Sequence, residues 1–275
     1  MSRTLVAITG ASSGIGAAFA RKLAAEHDLL LIARRKDRLE QLQSELSTNS
    51  QSQVAILEAD LTNEPDLAAA ADRIRHDQRL ALLINNAGFG TLGRFWEAPL
   101  ETQEQMHRLH IMATVRLTHA ALSNMIPRDL GGIINVASVS AFVRNAGTVS
   151  YAATKSWMTA FTEGLYLELA GVHSNIAVQA LCPGFTYSEF QSTMGVEREH
   201  LSGSSMWLTA EEVVDASLDG LRRRKLFVVP GWRYRFIVAF LNSLPTSLRL
   251  AVERASSRAR AVRTLMPPEQ SKRIE

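Results

Sequence analysis

The chain contains 275 residues, of which 46% are hydrophobic and 21% are charged, and its single cysteine is Cys182. This length suffices for one large α/β domain with a substantial core, and it is too short for two comfortable domains. One cysteine excludes an internal disulfide, no signal-peptide pattern opens the chain, and no apolar run reaches the ~20 residues of a membrane-spanning helix. We therefore expect a cytoplasmic protein.

The net charge of +3 is distributed unevenly along the chain. Residues 222–275 contain 13 lysines and arginines against three acidic residues, a net charge of +10, which leaves −7 for residues 1–221. A basic segment next to an acidic domain suggests that the protein has a binding partner, and it carries no information about the fold. Because no recognition motif accompanies the basic residues, we expect no nucleic-acid partner.

Apolar, β-branched runs alternate with segments of helical periodicity along most of the chain. The pattern predicts strands near residues 4–9, 29–33, 53–58, 80–85, 132–137, 175–181 and 225–229. It predicts helices near residues 15–26, 36–47, 64–76, 101–124, 151–170 and 210–222. Such alternation predicts an α/β fold, a doubly wound parallel sheet with helices on both faces. We expect this domain to span residues 1–230 and a basic, amphipathic helical extension to span residues 231–275.

The first predicted strand runs directly into a glycine-rich turn that opens the first helix. A strand, a glycine turn and a helix N-terminus direct backbone N–H groups at an anion, and glycine lets phosphates approach closely. A glycine string alone is also typical of a flexible loop, but its position at the first strand-to-helix turn favours a dinucleotide pyrophosphate site. The residues that we assign to this site are Gly10, Ser12, Ser13, Gly14, Ile15 and Gly16.

Two arginines, Arg34 and Arg35, follow the second predicted strand, where a doubly wound sheet binds the adenosine ribose. An acidic residue at this point would favour NAD. Two guanidinium groups instead suit a 2′-phosphate by charge and bidentate geometry, although either arginine could simply be a solvated residue that opens the next helix. The pair therefore favours NADP over NAD.

Three further strand ends carry residues that suit a bound dinucleotide, because ligands of such sheets lie at the carboxyl ends of the strands. Asp60 can accept a hydrogen bond from an adenine amino group; its alternative role is an N-cap of the next helix, for which Thr62 or Asn63 is better placed. The Asn85-Asn86 amides can hold the loop, meet the adenosine ribose or form an ordinary turn. At these ends we assign Asp60, Leu61, Asn86, Ala87, Gly88, Pro183, Gly184, Thr186 and Ser188 to the cofactor.

The chemical centre of the chain is predicted at Ser138, Tyr151 and Lys155. Tyr151 and Lys155 have i, i+4 spacing, so they share one face at the start of a helix, and Ser138 ends the fifth predicted strand. A phenol has a pKa of about 10, which a neighbouring ammonium and the positive end of a helix would lower. Tyr151 could then exchange a proton with a carbonyl or alcohol oxygen, which Ser138 would also hydrogen-bond, and Lys155 could reach the nicotinamide ribose.

Together these motifs resemble those of the classical short-chain dehydrogenase/reductase family over roughly residues 3–230. The resemblance rests on Thr9–Gly16, Arg34-Arg35, Asp60-Leu61, Asn85–Gly88, Ser138, Tyr151, Lys155 and Pro183-Gly184. It implies a single Rossmann-type domain, NADP(H) as cofactor, and a homo-oligomer (dimer or tetramer) built by packing helices of neighbouring subunits. It also implies that Tyr151 is the catalytic acid/base, Lys155 the partner that lowers its pKa, and Ser138 the hydroxyl that orients the substrate.

Two positions depart from that family's pattern. The family usually has an asparagine in the long helix after the fourth strand, where it holds a water that relays protons to the lysine, and His110 stands at the matching position. An imidazole can hydrogen-bond water and titrates near neutrality, so we favour a working relay through His110. The alternative is a histidine that packs in the helix interior and leaves turnover slow. Ser188 stands where a threonine is usual.

Apolar side chains in the predicted substrate-facing segments would form a roomy pocket for a hydrophobic ketone, aldehyde or alcohol if they converge; otherwise they belong to the core. They are Phe95, Trp96, Phe142, Phe190, Met194, Met206 and Trp207. The basic extension after residue 230 could lie on an anionic membrane surface, cover the active site, or pack against another subunit.

The sequence thus predicts an NADP(H)-dependent oxidoreductase that interconverts a carbonyl and an alcohol on a hydrophobic substrate, with no bound metal. One alternative is an NADP-binding regulatory or scaffold protein with weakened catalysis, which His110 motivates. The other is a membrane-surface lipid or acyl-chain reductase, which the basic extension motivates.

Overall fold

A computed structural model describes residues 3–187 and 206–265 of the chain, with side chains up to residue 255. The first half contains β1 (Leu5–Thr9), α1 (Gly14–Leu23), β2 (Asp28–Ala33), α2 (Lys36–Asn49), β3 (Val54–Glu58), α3 (Glu64–His76), β4 (Leu80–Asn85), α4 (Leu100–His107), a π-helical segment (Arg108–Ala113) and α5 (Thr114–Met125). A 3-10 turn (Ile126–Arg128), β5 (Gly132–Val136), a second 3-10 turn (Val139–Ala141), α6 (Val149–Gly171) and β6 (Ala177–Leu181) follow. The last elements are α7 (Ala210–Arg222), β7 (Phe227–Val228), α8 (Trp232–Ser243) and α9 (Thr246–Leu265).

The seven strands form one parallel sheet in the order β3-β2-β1-β4-β5-β6-β7. The strand order reverses between β1 and β4, because the chain first builds outward to β3 and then returns to the other side of β1. Such a reversal opens a crevice at the carboxyl ends of the two central strands, where ligands bind. The predicted doubly wound parallel sheet is therefore confirmed.

Both faces of the sheet are covered, and the alternation of side chains along β1 shows how. Val6 and Ile8 point into the core that α1, α2 and α7 build, whereas Leu5 and Ala7 point into the core that α3 and α5 build. Every residue of β1 and β2 is buried, which is why these strands read as continuous apolar runs rather than alternating ones. The two cores fix the carboxyl edge of the sheet, where the site lies.

The helix predicted over residues 101–124 is not regular. It divides into α4, a π-helical segment and α5, and His110 lies buried within the wide π-helical turn. A π turn admits one extra residue per turn and occurs frequently at functional sites. Apolar periodicity in the sequence cannot distinguish this turn from an α-helical one, because the extra residue shifts the pattern only locally.

Two helices of the extension pack onto the sheet domain. In α8, Tyr234, Val238 and Leu241 share one face at i, i+4 and i+7 and are buried. In α9, the Glu253 carboxylate accepts a 3.2 Å hydrogen bond from the backbone N–H of Arg144, in the loop that leads to α6. Of the helices in the described ranges, none is long and apolar enough to cross a membrane.

Candidate active site

The glycine turn between β1 and α1 has the backbone of an anion cradle. Gly10 has φ +64° and Gly14 has φ +53°, in the left-handed region that side chains disfavour. A Cβ at Gly16 would collide with the carbonyl oxygen of Gly10, and one at Gly10 would lie 2.8 Å from the Cα of Ala87. A side chain at Gly10 or Gly16 would clash, and the positive φ of Gly14 favours glycine there as well.

The end of β4 holds this turn in place. The Asn86 side-chain amide donates to the carbonyl oxygens of Thr9, at 2.9 Å, and Gly10, at 3.2 Å. The Thr9 hydroxyl in turn accepts from the backbone N–H groups of Asn86 and Ala87 at 2.9 and 3.0 Å. Asn86 therefore shapes the turn by direct hydrogen bonds, which corresponds to its predicted loop-holding role.

The N-terminus of α1 faces the same turn. Its N-cap residue, Ser13, makes no side-chain hydrogen bond to the helix, and no acidic residue lies in the first helical turn. The backbone N–H groups there and the positive end of the helix dipole favour a bound phosphate. The donor set and the glycine cradle fit the pyrophosphate of a dinucleotide.

The two arginines after β2 lie beside this turn. The Arg35 guanidinium donates to the hydroxyls of Ser12, at 3.0 Å, and Ser13, at 2.8 Å. The Arg34 guanidinium lies 3.8 Å from a carboxylate oxygen of Asp60 and its side chain is 68% exposed. The structure therefore brings the Arg35 guanidinium to the glycine turn and the Arg34 guanidinium to Asp60, at the carboxyl edge of the sheet.

Asp60 is held by its own turn. Its carboxylate accepts hydrogen bonds from the Thr62 backbone N–H, at 2.9 Å, and hydroxyl, at 2.7 Å, and Asn63 is the N-cap of α3. Burial opposes ionisation of Asp60, but the Thr62 hydrogen bonds and the charge of Arg34 hold the pKa of the carboxyl below its ordinary value. The Leu61 side chain is buried in the core, so only its backbone faces the crevice.

Ser138, Tyr151 and Lys155 come together at the carboxyl end of β5. Ser138 ends the strand and caps the following 3-10 turn, where its hydroxyl accepts from the Ser140 N–H at 3.1 Å. The Ser138 side chain lies close enough to the Tyr151 phenol to act on its pKa, which it lowers. The Lys155 ammonium donates to the Val136 carbonyl at 2.8 Å and lies 5.8 Å from the centroid of the Tyr151 ring.

Burial dominates the electrostatics of this group. It raises the pKa of Tyr151 to about 12, against the opposing effect of the Ser138 hydrogen bond, and it lowers the pKa of Lys155 to about 8. The pKa of Tyr151 therefore moves in the direction opposite to the one predicted from its lysine neighbour. The physical reason is that a phenolate loses more solvation in this site than it regains from an ammonium that is bonded to Val136.

His110 is buried and both of its ring nitrogens are bonded. Nε2 accepts from the backbone N–H of Phe89 at 3.2 Å, and Nδ1 lies 2.9 Å from the Thr154 hydroxyl, which itself donates to the Tyr151 carbonyl. Because the Thr154 proton is used there, Nδ1 is the donor and the ring is neutral. Burial and the charges of Lys155 and His107 place the pKa of His110 well below its ordinary value. This geometry favours the packed histidine over a side-chain relay.

Comparison with known protein families identifies the family to which the chain belongs. The model for short chain dehydrogenases matches residues 4–199. The chain belongs to the short-chain dehydrogenase family. It is 29% identical over 226 residues to a probable NADP-dependent dehydrogenase of Haemophilus influenzae, and the aligned region covers 76% of this chain and 88% of the relative.

Two solved structures resemble this short-chain dehydrogenase over nearly their full lengths. One is the short-chain dehydrogenase from Sphingobium yanoikuyae in complex with NADPH, with 34% identity, a TM-score of 0.78, and 96% and 97% of the two chains covered. The other is the bulky-bulky ketone specific alcohol dehydrogenase from Comamonas testosteroni, with 29% identity, a TM-score of 0.74, and 98% and 96% covered.

The Pro183-Gly184 turn of this short-chain dehydrogenase is built against the extension. The ring of Tyr234 packs on Gly184 so closely that a Cβ there would overlap it. The Tyr234 hydroxyl accepts from the Phe185 N–H at 2.9 Å and donates to the Met206 carbonyl at 2.8 Å. The Thr186 hydroxyl donates to the Gly184 carbonyl at 3.1 Å. Ser188 lies outside the described residues.

Tyr234 is the site residue that the sequence reasoning missed. It lies beyond the part of the chain that the family model matches, and an isolated tyrosine carries no motif. Its spacing to Val238 and Leu241, which defines the buried face of α8, would have marked it as an inward-facing residue.

A buried polar row beneath the catalytic group was also missed. The Asn85 amide donates to Asn135, at 2.9 Å, and the Asn135 amide donates to Thr162, at 2.9 Å, which links β4, β5 and α6. Asparagines inside otherwise apolar strands were the available indication, because a buried amide requires partners.

The apolar residues predicted to line the pocket do not all converge. Phe142 packs against the core around Met158 and contacts Phe227 edge to face at 6.3 Å, which favours the core alternative for this residue. Trp96 is 77% exposed. Trp207 stacks on Phe185 and Tyr187, with ring centroids 5.4 and 5.0 Å away, next to the Pro183-Gly184 turn. Phe190 and Met194 lie outside the described residues.

Within residues 3–187 and 206–265, no group of three or more histidine, cysteine, aspartate or glutamate side chains could hold a metal ion.

Proposed function

We propose that the protein is an NADP(H)-dependent oxidoreductase that interconverts a carbonyl and an alcohol on an apolar substrate. The observation that carries the proposal is the Lys155 ammonium 5.8 Å from the centroid of the Tyr151 ring, with the Ser138 side chain close enough to act on the pKa of the same phenol. This group lies at the same sheet edge as the glycine cradle. This shared edge supports proton transfer and dinucleotide binding in one crevice.

The residues fit the cofactor end to end. The cradle formed by Gly10, Gly14 and Gly16 would hold the pyrophosphate, and Arg34 and Arg35 would hold the adenosine 2′-phosphate. Two exposed guanidinium groups supply charge and planar donors that a ribose 2′-hydroxyl does not require. The NADPH in the Sphingobium relative's complex supports this preference.

The remaining assignments follow the strand ends. Asp60 would accept from the adenine amino group through the carboxylate oxygen that Thr62 does not occupy, and Ala87 and Gly88 would line the adenosine ribose. Lys155 would reach the nicotinamide ribose, and the turn at Pro183, Gly184 and Thr186 would face the nicotinamide.

The proposed chemistry divides between the cofactor and the chain. When bound, the nicotinamide supplies a hydride to a carbonyl carbon or accepts one from an alcohol carbon. The Tyr151 hydroxyl gives or takes the proton at the substrate oxygen, and Ser138 donates a hydrogen bond to that oxygen as negative charge develops on it. Because burial raises the pKa of Tyr151 to about 12, the phenol is protonated at neutral pH and suits the acid role in carbonyl reduction.

An apolar substrate is supported by the surroundings of the catalytic group. The Trp207 indole stacks between Phe185 and Tyr187, directly beside the turn that follows β6. Aromatic surfaces at this place favour a hydrophobic ketone, aldehyde or alcohol. The Comamonas relative acts on bulky-bulky ketones according to its description, which agrees with a roomy apolar site.

A substrate panel tests this function. Full-length protein is supplied with aldehydes and ketones of increasing apolar size, and cofactor oxidation is followed with NADPH and with NADH. We expect turnover of at least one bulky ketone, with kcat/KM at least tenfold higher for NADPH than for NADH, since charge-assisted contacts to a phosphate are worth about 1.5–3 kcal/mol each. A clear preference for NADH would contradict the assignment of the arginine pair.

The bonded state of His110 supports a second candidate, an NADP-binding regulatory or scaffold protein. Its neutral ring has both nitrogens occupied, so a proton relay through this side chain is not available in this conformation. Binding of NADPH without turnover of any member of the panel would favour this candidate over the first.

We also propose a homo-oligomer, a dimer or tetramer. Exposed apolar side chains lie on α4 and α6, including Leu100 at 67% exposed, Val149 at 55% and Leu167 at 63%. Phe95, Leu100 and Val149 line an open groove of about 600 Å³ between these helices. An exposed apolar surface of this kind marks an interaction site, and light scattering on the purified protein measures the subunit count.

A further inference from the structure

The outward side of α8 carries three large aromatic residues that contact no core. Trp232, Phe236 and Phe240 lie at i, i+4 and i+8 and are 67%, 69% and 49% exposed. The rings of Phe236 and Phe240 are nearly parallel, with their centroids 6.3 Å apart. Since the opposite side of the helix is buried through Tyr234, Val238 and Leu241, this aromatic face is held outward by the fold.

Cationic side chains border the aromatic face on both sides. At 100° per residue, Arg233 and Arg235 fall on the two flanks of the row, and both are exposed. The Arg233 guanidinium lies 5.3 Å from the centroid of the Trp232 ring. From Gly220 to Val252 the sequence contains seven lysines and arginines and no acidic residue. The face therefore combines apolar bulk with two flanking arginines.

We infer that the aromatic face of α8 docks on the surface of an anionic phospholipid bilayer. Aromatic rings settle at the boundary between headgroups and acyl chains, while flanking arginines reach the phosphate groups. A second copy of the chain suits this face less well, because a two-fold contact would bring the arginines of both copies together. A bilayer offers apolar depth and negative charge at once, which matches both properties of the face.

The docking face lies close to the proposed active site. Tyr234, on the inner side of the same helix, contacts Gly184 and forms hydrogen bonds with the Phe185 N–H and the Met206 carbonyl. The membrane surface would thus lie about one helix diameter, ~10 Å, from the turn assigned to the nicotinamide. This placement suits an apolar substrate that is dissolved in the bilayer, and this last point alone rests on the proposed function.

Vesicle flotation with the full-length protein tests the docking. We expect binding to vesicles of phosphatidylcholine with phosphatidylglycerol at low salt, and weak binding to vesicles of phosphatidylcholine alone. The triple variant Trp232→Ala/Phe236→Ala/Phe240→Ala should lose at least tenfold in affinity for the anionic vesicles. The variant Arg233→Gln/Arg235→Gln should also lose about tenfold, and raised salt should abolish its remaining preference for anionic lipid.

Matched controls distinguish binding through this face from nonspecific binding through exposed apolar or cationic side chains elsewhere on the protein. Ile126→Ala/Leu130→Ala/Val172→Ala removes three apolar side chains that are 48%, 57% and 69% exposed elsewhere, and Arg73→Gln/Arg75→Gln removes two exposed arginines with the same spacing on α3. Both should bind like the unmodified chain. Absence of binding, equal binding to neutral vesicles, equal losses in the controls, or a changed oligomeric mass of the aromatic variant would each overturn the inference.

The test is independent of the proposed activity. Cofactor oxidation in detergent-free buffer with a water-soluble ketone should be the same for the aromatic variant and the unmodified chain, because the three rings lie on the side of α8 opposite to Tyr234, which packs on Gly184. Vesicle binding without turnover would support the docking proposal and contradict the proposed oxidoreductase activity. Turnover without vesicle binding would support the activity and contradict the docking proposal.

Discussion

At the scale of single residues, the account depends on what each polar group is bonded to. Arg35 spans the hydroxyls of Ser12 and Ser13, and Arg34 approaches Asp60, so the two guanidinium groups frame one small area of surface. In the proposed function, charge complementarity at this area, rather than the glycine cradle, would distinguish NADP from NAD. The cradle binds a pyrophosphate, which both cofactors carry.

Replacing the arginine pair should change the choice of cofactor. In Arg34→Ser/Arg35→Ser we expect the Kd for NADPH to rise by about tenfold to a hundredfold, because one or two charge-assisted hydrogen bonds are lost, while the Kd for NADH changes less than about threefold. Titration of both cofactors by fluorescence measures this. Arg73→Gln on α3 is the control and should leave both values unchanged. Equal weakening for the two cofactors would show that the arginines only shape the turn.

The sequence placed Ser138, Tyr151 and Lys155 close together, but it did not give their electrostatics. Spacing placed Tyr151, Lys155 and Ser138 together, because i, i+4 positions on a helix and the end of a strand have fixed geometry. The pKa of Tyr151 depends on how much solvent the folded chain excludes, which no local pattern records. The bonds of His110 likewise involve Phe89 and Thr154, which are 21 and 44 residues away in the chain.

At the scale of elements, α8 connects the extension to the site. The Tyr234 hydroxyl fixes both Phe185 and Met206, and its ring covers Gly184. Because Tyr234 lies outside residues 4–199, which the family model matches, the extension could influence the proposed site without contacting the substrate. Tyr234 is in this sense a positioning residue.

Removing the Tyr234 hydroxyl should loosen that turn. In Tyr234→Phe, the Phe185 N–H and the Met206 carbonyl lose a partner, and we expect the free energy of unfolding to fall by about 1–3 kcal/mol. The Kd for NADPH should rise severalfold as well, because the assigned nicotinamide turn is less ordered. Denaturant unfolding and cofactor titration check both effects.

Two further variants sharpen this prediction. Tyr166→Phe on α6, where the side chain is 44% exposed, is the matched control and should change neither quantity. Gly184→Ala should be more damaging than Tyr234→Phe, because a methyl group would overlap the tyrosine ring itself. An unchanged Kd for NADPH in Tyr234→Phe, together with lowered stability, would reduce Tyr234 to a purely structural role.

The predicted elements agree with the structure because buried parallel strands leave uninterrupted apolar runs, as in β1 and β2. The prediction failed where the periodicity is nearly helical but the backbone is not, at Arg108–Ala113. For Phe142 the sequence left substrate pocket and core open, since an aromatic residue next to a site and one in a core look alike in sequence. Tertiary packing decides both cases.

At the scale of the whole molecule, the strand order determines the distance that a ligand must span to contact both the arginine pair and Tyr151. The arginine pair follows β2 and the catalytic group follows β5, and β1 and β4 lie between them. Three strand spacings of ~4.8 Å separate the two ends by ~14 Å, so a single ligand that contacts both must be extended across the crevice. A dinucleotide with a phosphate-bearing adenosine at one end and a nicotinamide at the other has this form.

The most direct test of the central claim is the rate of cofactor oxidation by Tyr151→Phe, measured together with its affinity for NADPH. The account predicts that turnover falls by at least a thousandfold, because the group that exchanges the proton is absent, while the Kd for NADPH stays within about threefold of the unmodified value. Turnover that survives in this variant with the affinity unchanged would contradict the assignment of Tyr151 as the acid/base.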